Sequence, residues 1–369
     1  MEIRFELRWA LGQGQAEAVE PALFQLLQSI AERGSLRLAA KERGLSYRHA
    51  WGLLRKWQGV LGQALARLER GRGAVLTPLG EKLLWAERRI NARLGPELES
   101  LGSELSADLR AVLQVDSGPP LRIYASHGLV IPLLRDLLQA ERGIRVDLQF
   151  RGSLDSVRLL RGSKCDLAGF HLPDGVLGAR LAPRFRRWLD PHADVLIHAV
   201  RRRQGMIAGK DNPKRIESVA DLAKDPLRFV NRQPGSGTRM ILDLLLEEAA
   251  VAPEAIHGYS TEEFTHMAVA AIVASGGADA GFGIEAAARH FGLHFVPVTW
   301  ENYWFALPRA ILSKPAVSEL VSMLRSAEFK SQAGALPGYD AAQAGTIVPV
   351  DSVIAYGDLP VNWTNPPRS

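Results

Sequence analysis

Apolar residues recur with helical spacing in the first part of the chain. Those of residues 21–34 lie three or four positions apart and share one helical face: Leu23, Leu26, Leu27 and Ile30. Gly34 is suited to ending such a helix. The residues that follow predict a short helix from about Ser35, a break at Gly44, and a longer helix capped by Ser46. The pattern therefore predicts three helices in succession.

The opening residues alternate in polarity instead. Charged residues separate Ile3, Phe5, Leu7 and Trp9, which predicts a strand with one buried face. This segment lacks the cationic, apolar and small-residue succession of a signal peptide. No apolar run in the chain reaches the roughly 18 residues that indicate a membrane span. We therefore expect a cytoplasmic protein that does not contact a membrane.

The second and third predicted helices have the features of a helix-turn-helix. Ala39 and Ala40 are small enough for the close crossing of two helices, and Gly44 suits the tight turn between them. Three residues of the third helix are expected to face the core: Leu53, Leu54 and Trp57. Its exposed amino end carries the side chains that would contact base edges in the major groove: Ser46, Tyr47, Arg48 and His49.

A β-hairpin is predicted directly after these helices. A strand ending near Glu69, a Gly-Arg-Gly tip, a second strand at residues 74–77 and a helix after Pro78 form a basic wing. Residues 33–72 contain ten Lys and Arg but only two acidic residues, an excess that favours contact with nucleic acid. We expect further contacts with DNA from four residues: Arg55, Lys56, Arg70 and Arg72. A basic helical hairpin without this role is the alternative.

This ordered succession resembles a known family. The stretch GSLRLAAKERGLSYRHAWGLLRKW, followed by GAVLTPLGEKLL, is similar to the winged amino-terminal domain of ModE-type molybdate-dependent regulators. It resembles the corresponding domain of LysR-type regulators more distantly. The resemblance extends from residue 3 to about residue 90. It implies binding of double-stranded DNA as a dimer, with the region after the wing helping to pair the subunits.

A long helical pattern follows the wing. Residues 79–113 are helical in pattern, with an interruption at Gly95 and Pro96. Four leucines form an apolar stripe: Leu98, Leu101, Leu105 and Leu109. One interpretation is a linker helix that pairs subunits in a homodimer or homotetramer, and the other is a simple spacer.

From Leu121 onward, strand and helix patterns alternate. Strands are expected at LRIYAS, VDLQF, DLAGFH, VLIHAV, RFVN and HFVPV, which predicts a parallel α/β sheet long enough for two lobes. Ligands of such sheets bind beyond the carboxyl ends of the strands, where this chain repeatedly carries small polar residues. The expected fold class is therefore α/β, with a winged helix-turn-helix domain and a linker helix ahead of a two-lobed α/β domain.

The segment NRQPGSGTR has the features of an anion-binding loop. Gly237 lets backbone amides turn inward, Ser236 and Thr238 add hydroxyl donors, and the start of a helix favours negative charge. Arg232 or Arg239 can bind two oxygens of an anion at once. The spacing and the lysine of a Walker P-loop are absent, which argues against phosphoryl transfer.

The chain from about Leu121 to about Tyr356 resembles type II periplasmic-binding proteins of the oxyanion-binding kind. GSGT before a basic residue is similar to the oxyanion loop of phosphate- and tungstate-binding members. YASHG and RGSLD stand where molybdate-binding members use serines, and ENYWFAL carries a tyrosine where such proteins often have a ligand-facing one. The chemistry of the loop and the resemblance together predict nine ligand-binding residues, of which His127 and the two arginines depart from the pattern of the family: Ser126, His127, Ser153, Arg232, Ser236, Gly237, Thr238, Arg239 and Tyr303.

The arginines exceed what a molybdate site built of neutral donors uses. Molybdate or tungstate is the favoured ligand, while another oxyanion or a carboxylate remains open. The arginines at residues 184–187 and 201–203 are interpreted as solvated surface, and His171 as a structural histidine.

These patterns divide the chain into four parts. Residues 1–78 form the winged helix-turn-helix, residues 79–118 the linker, residues 119–360 the ligand-binding domain, and residues 361–369 a surface tail. Lobe I of that domain comprises about residues 119–197 and 299–360, and lobe II about residues 198–298. We expect a DNA-binding transcriptional regulator that senses a small anion, with no cofactor, metal or catalytic residue. The alternative is an enzyme, for example in molybdenum-cofactor metabolism, that uses the same pocket with His127 or His171 as a base.

Overall fold

The computed structural model describes residues 3–12, 15–69, 73–113 and 119–355. Contacts within the chain separate two compact units, one comprising Phe5–Leu94 and the other the chain from Gly95 onward together with the residues up to Arg4. We call them the N-terminal unit and the C-terminal unit. The division falls inside one long helix, α4, and each unit has its own hydrophobic core.

The N-terminal unit is a winged helix-turn-helix followed by the start of the linker helix. Its elements are β1 (Ala10–Leu11), β2 (Glu17–Ala18), α1 (Pro21–Arg33), α2 (Leu36–Glu42), α3 (Tyr47–Leu61), β3 (Ala66–Glu69), β4 (Gly73–Leu76) and α4 (Pro78–Val112). Strands β3 and β4 pair as the antiparallel wing.

Local signals fix the ends of the three short helices as predicted. Gly34 ends α1 in the left-handed region, at a φ of 62°, which a side chain would oppose. Ser35 caps α2, and Ser46 caps α3 by accepting a hydrogen bond from the His49 amide at 3.1 Å. Gly44 turns the chain between α2 and α3 at a φ of 65°. The predicted core residues are buried, with Trp57 fully enclosed.

The predicted strand at the start of the chain is wrong. Residues 3–9 form no strand, and the only ladder there joins Ala10–Leu11 to Glu17–Ala18 among the described residues. Phe5 and Leu7 remain 43% and 37% exposed. Alternating polarity produces a strand only where the segment can pair with another strand and bury its apolar face in a core. Most of this segment does neither.

The predicted interruption of the linker helix at Gly95 and Pro96 is also wrong. Helix α4 runs unbroken through Pro96, although an internal proline costs a helix about 3 kcal/mol. Tertiary contacts hold the part that follows. The Ser100 hydroxyl donates to the Pro96 carbonyl at 3.0 Å and accepts from the Phe150 amide at 3.0 Å. The Ser103 hydroxyl donates to Asp147 at 2.7 Å.

The C-terminal unit is a mixed α/β domain. Its strands are β5 (Leu121–Ala125), β6 (Val146–Phe150), β7 (Leu167–Pro173), β8 (Asp194–Ala208), β9 (Phe229–Arg232), β10 (Glu262–Glu263), β11 (Ala280–Ile284), β12 (His294–Pro308), β13 (Tyr339–Asp340) and β14 (Ile347–Pro349). Its α-helices are α5 (Val130–Arg142), α6 (Ser153–Arg161), α7 (Gly175–Leu181), α8 (Pro183–Arg186), α9 (Gly237–Glu248), α10 (His266–Ala274), α11 (Glu285–His290), α12 (Pro315–Arg325) and α13 (Ala327–Gly334).

Two long antiparallel strands join the two lobes of this unit. Strands β8 and β12, each of 15 residues, run side by side through the middle of the sheet. Parallel strands β5, β6 and β7 extend the sheet on the side of β12, and β9, β10 and β11 extend it on the side of β8. We call the first group with its helices lobe I and the second lobe II. The predicted strands VLIHAV and HFVPV are thus short parts of the connecting strands.

Helices cover both faces of the sheet, as two hydrophobic cores show. One core lies under α5, α10, α11, α12 and α13, and the other under α6, α8 and α9. Successive residues of β8 enter opposite cores, since Ile197 belongs to the first and Leu196 to the second. This arrangement leaves the loops at the carboxyl ends of the strands free to form a site between the lobes.

Candidate ligand-binding site and DNA-binding surface

Loops of both lobes meet around one small cavity. Its lining comes from the ends of β5, β6, β7 and β9, from the middle of β8, and from the starts of α6, α9 and α10: Ser126, His127, Arg151, Gly152, Ser153, His171, Arg202, Arg232, Gln233, Ser236, Gly237, Thr238 and His266. The cavity volume is about 20 Å³, far below the roughly 300–1,000 Å³ of pockets that hold drug-sized ligands. The described lining contains no Asp or Glu. The cavity therefore favours a compact anion.

Two helices direct their amino ends at this cavity. Helix α6 begins at Ser153, and α9 begins at Gly237 after its cap, Ser236, whose hydroxyl accepts from the Arg239 amide at 3.2 Å. The helices meet closely, because a Cβ added to Gly237 would lie 3.5 Å from the Ser153 hydroxyl. Unpaired amides and the helix dipole make each amino end attractive to anions. The buried Ser153 hydroxyl has no hydrogen-bond partner among the described residues.

Arg232 brings a buried positive charge to the same place. Its Nη2 donates to the Phe264 carbonyl at 2.9 Å and its Nε to the Gln233 side chain at 3.1 Å. Its Nη1 is buried and finds no acceptor in the described part of the chain. Burial, together with the charge of Arg202, lowers the pKa of Arg232 to about 9. A bound anion would satisfy the free donor and offset the cost of the buried charge.

Arg202 is the second cation of the cavity and is held by a buried acid. Its Nε donates to Glu301, and both side chains are almost fully buried. Its Nη1 reaches the His127 carbonyl and its Nη2 the His266 ring, each at 3.4 Å. Gln204 completes the arrangement by donating to Glu301 and to the Thr238 hydroxyl, both at 2.9 Å. Arg202 therefore links both lobes through the connecting strands.

Three histidines line the cavity in their neutral form. Burial is the main reason that the pKa of His127 falls to about 3 and that the pKa values of His171 and His266 lie well below the usual range. The His171 Nδ1 lies 2.8 Å from the Ser126 hydroxyl. Since Arg202 can only donate, the His266 Nε2 is its acceptor and the His266 proton is assigned to Nδ1. The net positive charge of the cavity thus comes from the arginines.

The structure brings seven of the nine predicted ligand-binding residues to this cavity: Ser126, His127, Ser153, Arg232, Ser236, Gly237 and Thr238. Tyr303 lies behind it, where its hydroxyl donates to the Ser126 carbonyl at 3.0 Å. Arg239 is turned away. Its guanidinium bonds to Asp243 at 2.9 Å and to Glu262 at 3.4 Å and packs 4.1 Å from the centre of the Tyr259 ring.

Sequence reasoning missed several residues of the lining, and Arg202 above all. The interpretation of residues 201–203 as solvated surface is wrong for Arg202, which is 2% exposed. Arg201 and Arg203 are more exposed and pair with Asp174 and Glu285. Apolar residues stand on both sides of the three arginines in VLIHAVRRRQGMIA, so the arginines belong to one strand that is buried on both faces, and the middle one turns inward. His171, interpreted as structural, lies in the lining as well.

Among the described residues that the sequence predicts to contact DNA, some are exposed and form no ion pair with a described acid, and one does form such pairs. Tyr47, Arg48 and His49 are exposed at the start of α3 beside the cap Ser46, and Arg55 is exposed two turns later. Lys56 instead forms ion pairs with Glu17 at 2.5 Å and with Glu20 at 2.7 Å, so its ammonium group is engaged within the N-terminal unit. Two further predicted residues lie outside the described residues: Arg70 and Arg72.

Comparison with known proteins agrees with this architecture. The profile of the PBP superfamily domain matches residues 135–325, just over half of the chain. The chain belongs to this PBP-like family. The matched region contains Arg151, Arg202 and Arg232 and the amino ends of α6 and α9. None of the helices that the structure describes is long and apolar enough to cross a membrane.

Individual relatives cover only part of the chain. It is 32% identical over 200 residues to the uncharacterized protein YvgK of Bacillus subtilis, an alignment that spans 54% of this chain and 64% of the relative. It is 38% identical over 93 residues to the molybdenum-pterin-binding protein MopB of Rhodobacter capsulatus, across 24% of this chain and 34% of the relative. The chain thus covers less than two thirds of either relative.

A solved structure of an OxyR mutant of Corynebacterium glutamicum, with hydrogen peroxide bound, is similar over 83% of this chain and 90% of that chain. The identity is 18% and the TM-score is 0.40. A likeness this distant carries no argument about function.

Proposed function

We propose that this protein is a transcriptional regulator that binds double-stranded DNA and changes its DNA affinity when a small oxyanion occupies the cavity. The observation that carries the proposal is the free Nη1 of buried Arg232 beside the amino ends of α6 and α9. An enclosed guanidinium that forms no salt bridge within the described residues calls for an anion. The winged helix-turn-helix in the same chain supplies the output.

The ligand proposed is a tetrahedral oxyanion that carries no proton at neutral pH, with molybdate or tungstate foremost. Arginine, hydroxyl and backbone donors face the cavity, and no carboxylate in its described lining offers an acceptor to a protonated oxyanion such as hydrogen phosphate. The partial similarity to the molybdenum-pterin-binding protein MopB supports an oxyanion of molybdenum. Sulfate has the same shape and charge and is the natural competitor.

We further propose that the protein works as a homodimer or homotetramer paired through α4. Leu101, Leu105 and Leu109 lie on one side of that helix and are 44%, 41% and 42% exposed. Apolar side chains repeated every three or four residues along an exposed helix face suit pairing with a second copy of the same helix. Two recognition helices in one assembly would then bind two half-sites of an operator.

A two-part experiment tests the proposal. Thermal unfolding is followed with molybdate, tungstate, sulfate, phosphate and acetate, since a ligand that binds only the folded state stabilises it by RT ln(1 + [L]/Kd). Binding to the DNA upstream of the gene is measured at low and moderate salt. The proposal expects stabilisation by molybdate or tungstate at lower concentration than by phosphate, and DNA affinity that falls steeply with salt. Absence of DNA binding at low salt refutes the regulator.

One observation favours a second candidate function, an enzyme. The Ser126 hydroxyl lies 2.8 Å from the His171 ring beside helix amino ends, as in a nucleophile activated by a base. A catalytic triad also needs an acid that orients the histidine, and Glu301 is poorly placed for that role. Its carboxylate lies 4.0 Å from the His171 Nε2 and already accepts hydrogen bonds from Arg202 and Gln204. Labelling of Ser126 by a fluorophosphonate, absent in Ser126→Ala, would support the enzyme. Equal signals from the two proteins would exclude it.

A further inference from the structure

The exposed face of α3 carries an aromatic side chain that the core does not use. Trp51 is 39% exposed, whereas Trp57 on the same helix is fully buried. Tyr47, one turn earlier, is 51% exposed, and the guanidinium of Arg55, one turn later, lies 5.5 Å from the centre of the Trp51 ring. These three residues are four positions apart and form a continuous row along the helix. Packing within the unit does not account for the row.

A glycine beside this row has no role in the fold. Gly52 is exposed in the middle of α3, and a Cβ added there would meet nothing within 4 Å. Glycine inside a helix destabilises it relative to alanine, because the glycine backbone loses more conformational freedom on folding. Among the described residues, no left-handed turn or close contact requires a glycine here, and the same holds for Gly59. Gly52, unlike Gly59, lies directly beside Trp51 in the first half of the helix, where the missing side chain leaves room for another molecule to approach the backbone.

The charge of α3 identifies that molecule. Its sequence, YRHAWGLLRKWQGVL, contains Arg48 and Arg55 on the exposed face and no acidic residue. A basic helix face suits the phosphates that border a DNA groove. The C5-methyl group of thymine is the apolar feature that a base pair presents in the major groove, and apolar side chains recognise it. An exposed indole on a recognition helix is suited to that contact.

We propose that Trp51 is a specificity-determining residue that contacts a thymine methyl group in the major groove, and that Gly52 lets the helix backbone come close to the DNA. The inference rests on the proposed function, because it assigns the base-reading side of the same DNA-binding domain. Arg55, over the indole, holds the ring in place. Arg48, which the sequence predicts to contact base edges, is assigned here to a phosphate instead, a contact without sequence preference.

Selection from a random library of duplex DNA, followed by affinity measurements across a salt series, tests the assignment. The wild-type protein is expected to enrich a motif with a fixed T·A pair in each half-site. Trp51→Ala is expected to lose the preference at that pair, with an affinity loss of about tenfold for the wild-type motif, as the loss of one base-pair contact typically causes. Its salt slope is expected to stay unchanged. Arg48→Ala is expected to lower the slope by about one without altering the motif.

Substitution of Gly52 provides a test whose expected result differs from the effect of misfolding. Gly52→Ala is expected to raise the melting temperature, because it favours the helix, and yet to weaken binding to the selected DNA at least tenfold. Gly59→Ala is the matched control, since Gly59 is also exposed on α3 with nothing near its Cβ position but lies two turns further from the amino end. It is expected to raise the melting temperature alone. An unchanged motif in Trp51→Ala, or wild-type affinity in Gly52→Ala, overturns the inference. A wild-type protein that enriches no DNA refutes the proposed function itself.

Discussion

Arg202 and Glu301 stand directly opposite each other on β8 and β12, and their side chains bond to each other inside the protein. The pair therefore lies on the two strands that connect the lobes, at the wall of the cavity. The Gln204 side chain donates hydrogen bonds to Glu301 and to the Thr238 hydroxyl, and so connects this pair to the start of α9. The buried positive charge offered to a ligand is thus mainly that of Arg232 with part of that of Arg202, and the exposed Arg151 adds a third cation to the lining.

Replacement of Glu301 by a neutral residue should lower the stability of the ligand-free protein but tighten its binding of an anion. Glu301→Gln keeps the size of the side chain and leaves two uncompensated guanidinium groups side by side. Breaking a buried ion pair by removing one partner costs about 3–5 kcal/mol, and an anion would recover part of it. We expect a lower melting temperature without ligand and a larger shift with molybdate. The double variant Arg202→Gln with Glu301→Gln should lose the enlarged shift. An equal or smaller shift in Glu301→Gln contradicts the charge balance described above.

The two arginines of the predicted anion loop should behave oppositely. Arg232→Gln removes the free donor and should weaken molybdate binding at least a hundredfold, while stability without ligand holds or rises because a buried charge is gone. Arg239→Gln breaks its contacts with Asp243 and Glu262 and should lower stability with little change in anion affinity. Calorimetric titration and thermal unfolding separate the two effects. Loss of binding in Arg239→Gln alone would place the ligand elsewhere.

A methyl group placed between the helix ends should block the site without harming the fold. At Gly237 an added Cβ lies 3.5 Å from the Ser153 hydroxyl and 3.8 Å from the His171 Cβ, both ordinary contact distances. Gly237→Ala should therefore preserve or slightly raise stability and reduce anion affinity at least tenfold. Gly334→Ala, in a helix turn with open space, is the control and should keep full affinity. Undiminished affinity in Gly237→Ala would show that the anion does not sit between α6 and α9.

The histidines predict how stability depends on pH. The folded-state pKa values of His127, His171 and His266 lie below the unfolded value of about 6.5. The unfolded chain therefore takes up protons first, and the stability of the ligand-free protein should fall as pH drops below about 6.5. A bound anion favours the protonated rings, so the stabilisation by sulfate should grow from pH 7.5 to pH 5.5. Melting temperatures with and without sulfate across this range check both trends. A shift that shrinks towards low pH would remove the histidines from the site.

The leucine stripe of α4 predicts the effect of charge on assembly. Replacing Leu101 and Leu105 by glutamate should separate the subunits, because buried like charges oppose pairing of the two helices. Light scattering should then report a monomer whose molybdate affinity is unchanged, since the cavity lies within one chain. Glu104→Gln, on a neighbouring position of α4, serves as the control. If the leucine variant keeps the mass of the wild-type assembly, another surface pairs the subunits.

Local chemistry explains which features the sequence predicted. The helix-turn-helix could be predicted because the residues that end or cap its helices act on the backbone only one or two turns away. These residues are Gly34, Ser35, Gly44 and Ser46. The strand-to-helix loops that line the cavity could be predicted for the same reason. Small residues and hydroxyl groups at the start of a helix are suited to binding an anion, and both are local features of the sequence.

Features that depend on distant partners were missed. Arg202 turns inward because Glu301, far along the chain, neutralises it, and Arg239 turns outward because Asp243 and Glu262 hold it. The helix continues through Pro96 because Ser100 docks on Phe150. The contacts of Arg202 with Glu301 and of Ser100 with Phe150 exist only in the folded chain, so neither residue type nor spacing predicts them. Asp243, four residues after Arg239 on α9, is a partner that helical spacing does indicate.

Coupling between the anion and DNA binding tests the central claim most directly. The DNA affinity of the wild-type protein and of Arg232→Gln is measured by fluorescence anisotropy on one upstream fragment, at fixed salt, with and without saturating molybdate or tungstate. The account predicts a change of at least fivefold in the wild-type affinity, the lower end of allosteric couplings of about 1–3 kcal/mol, and none in Arg232→Gln. Equal wild-type affinities with and without an anion that demonstrably binds would contradict it.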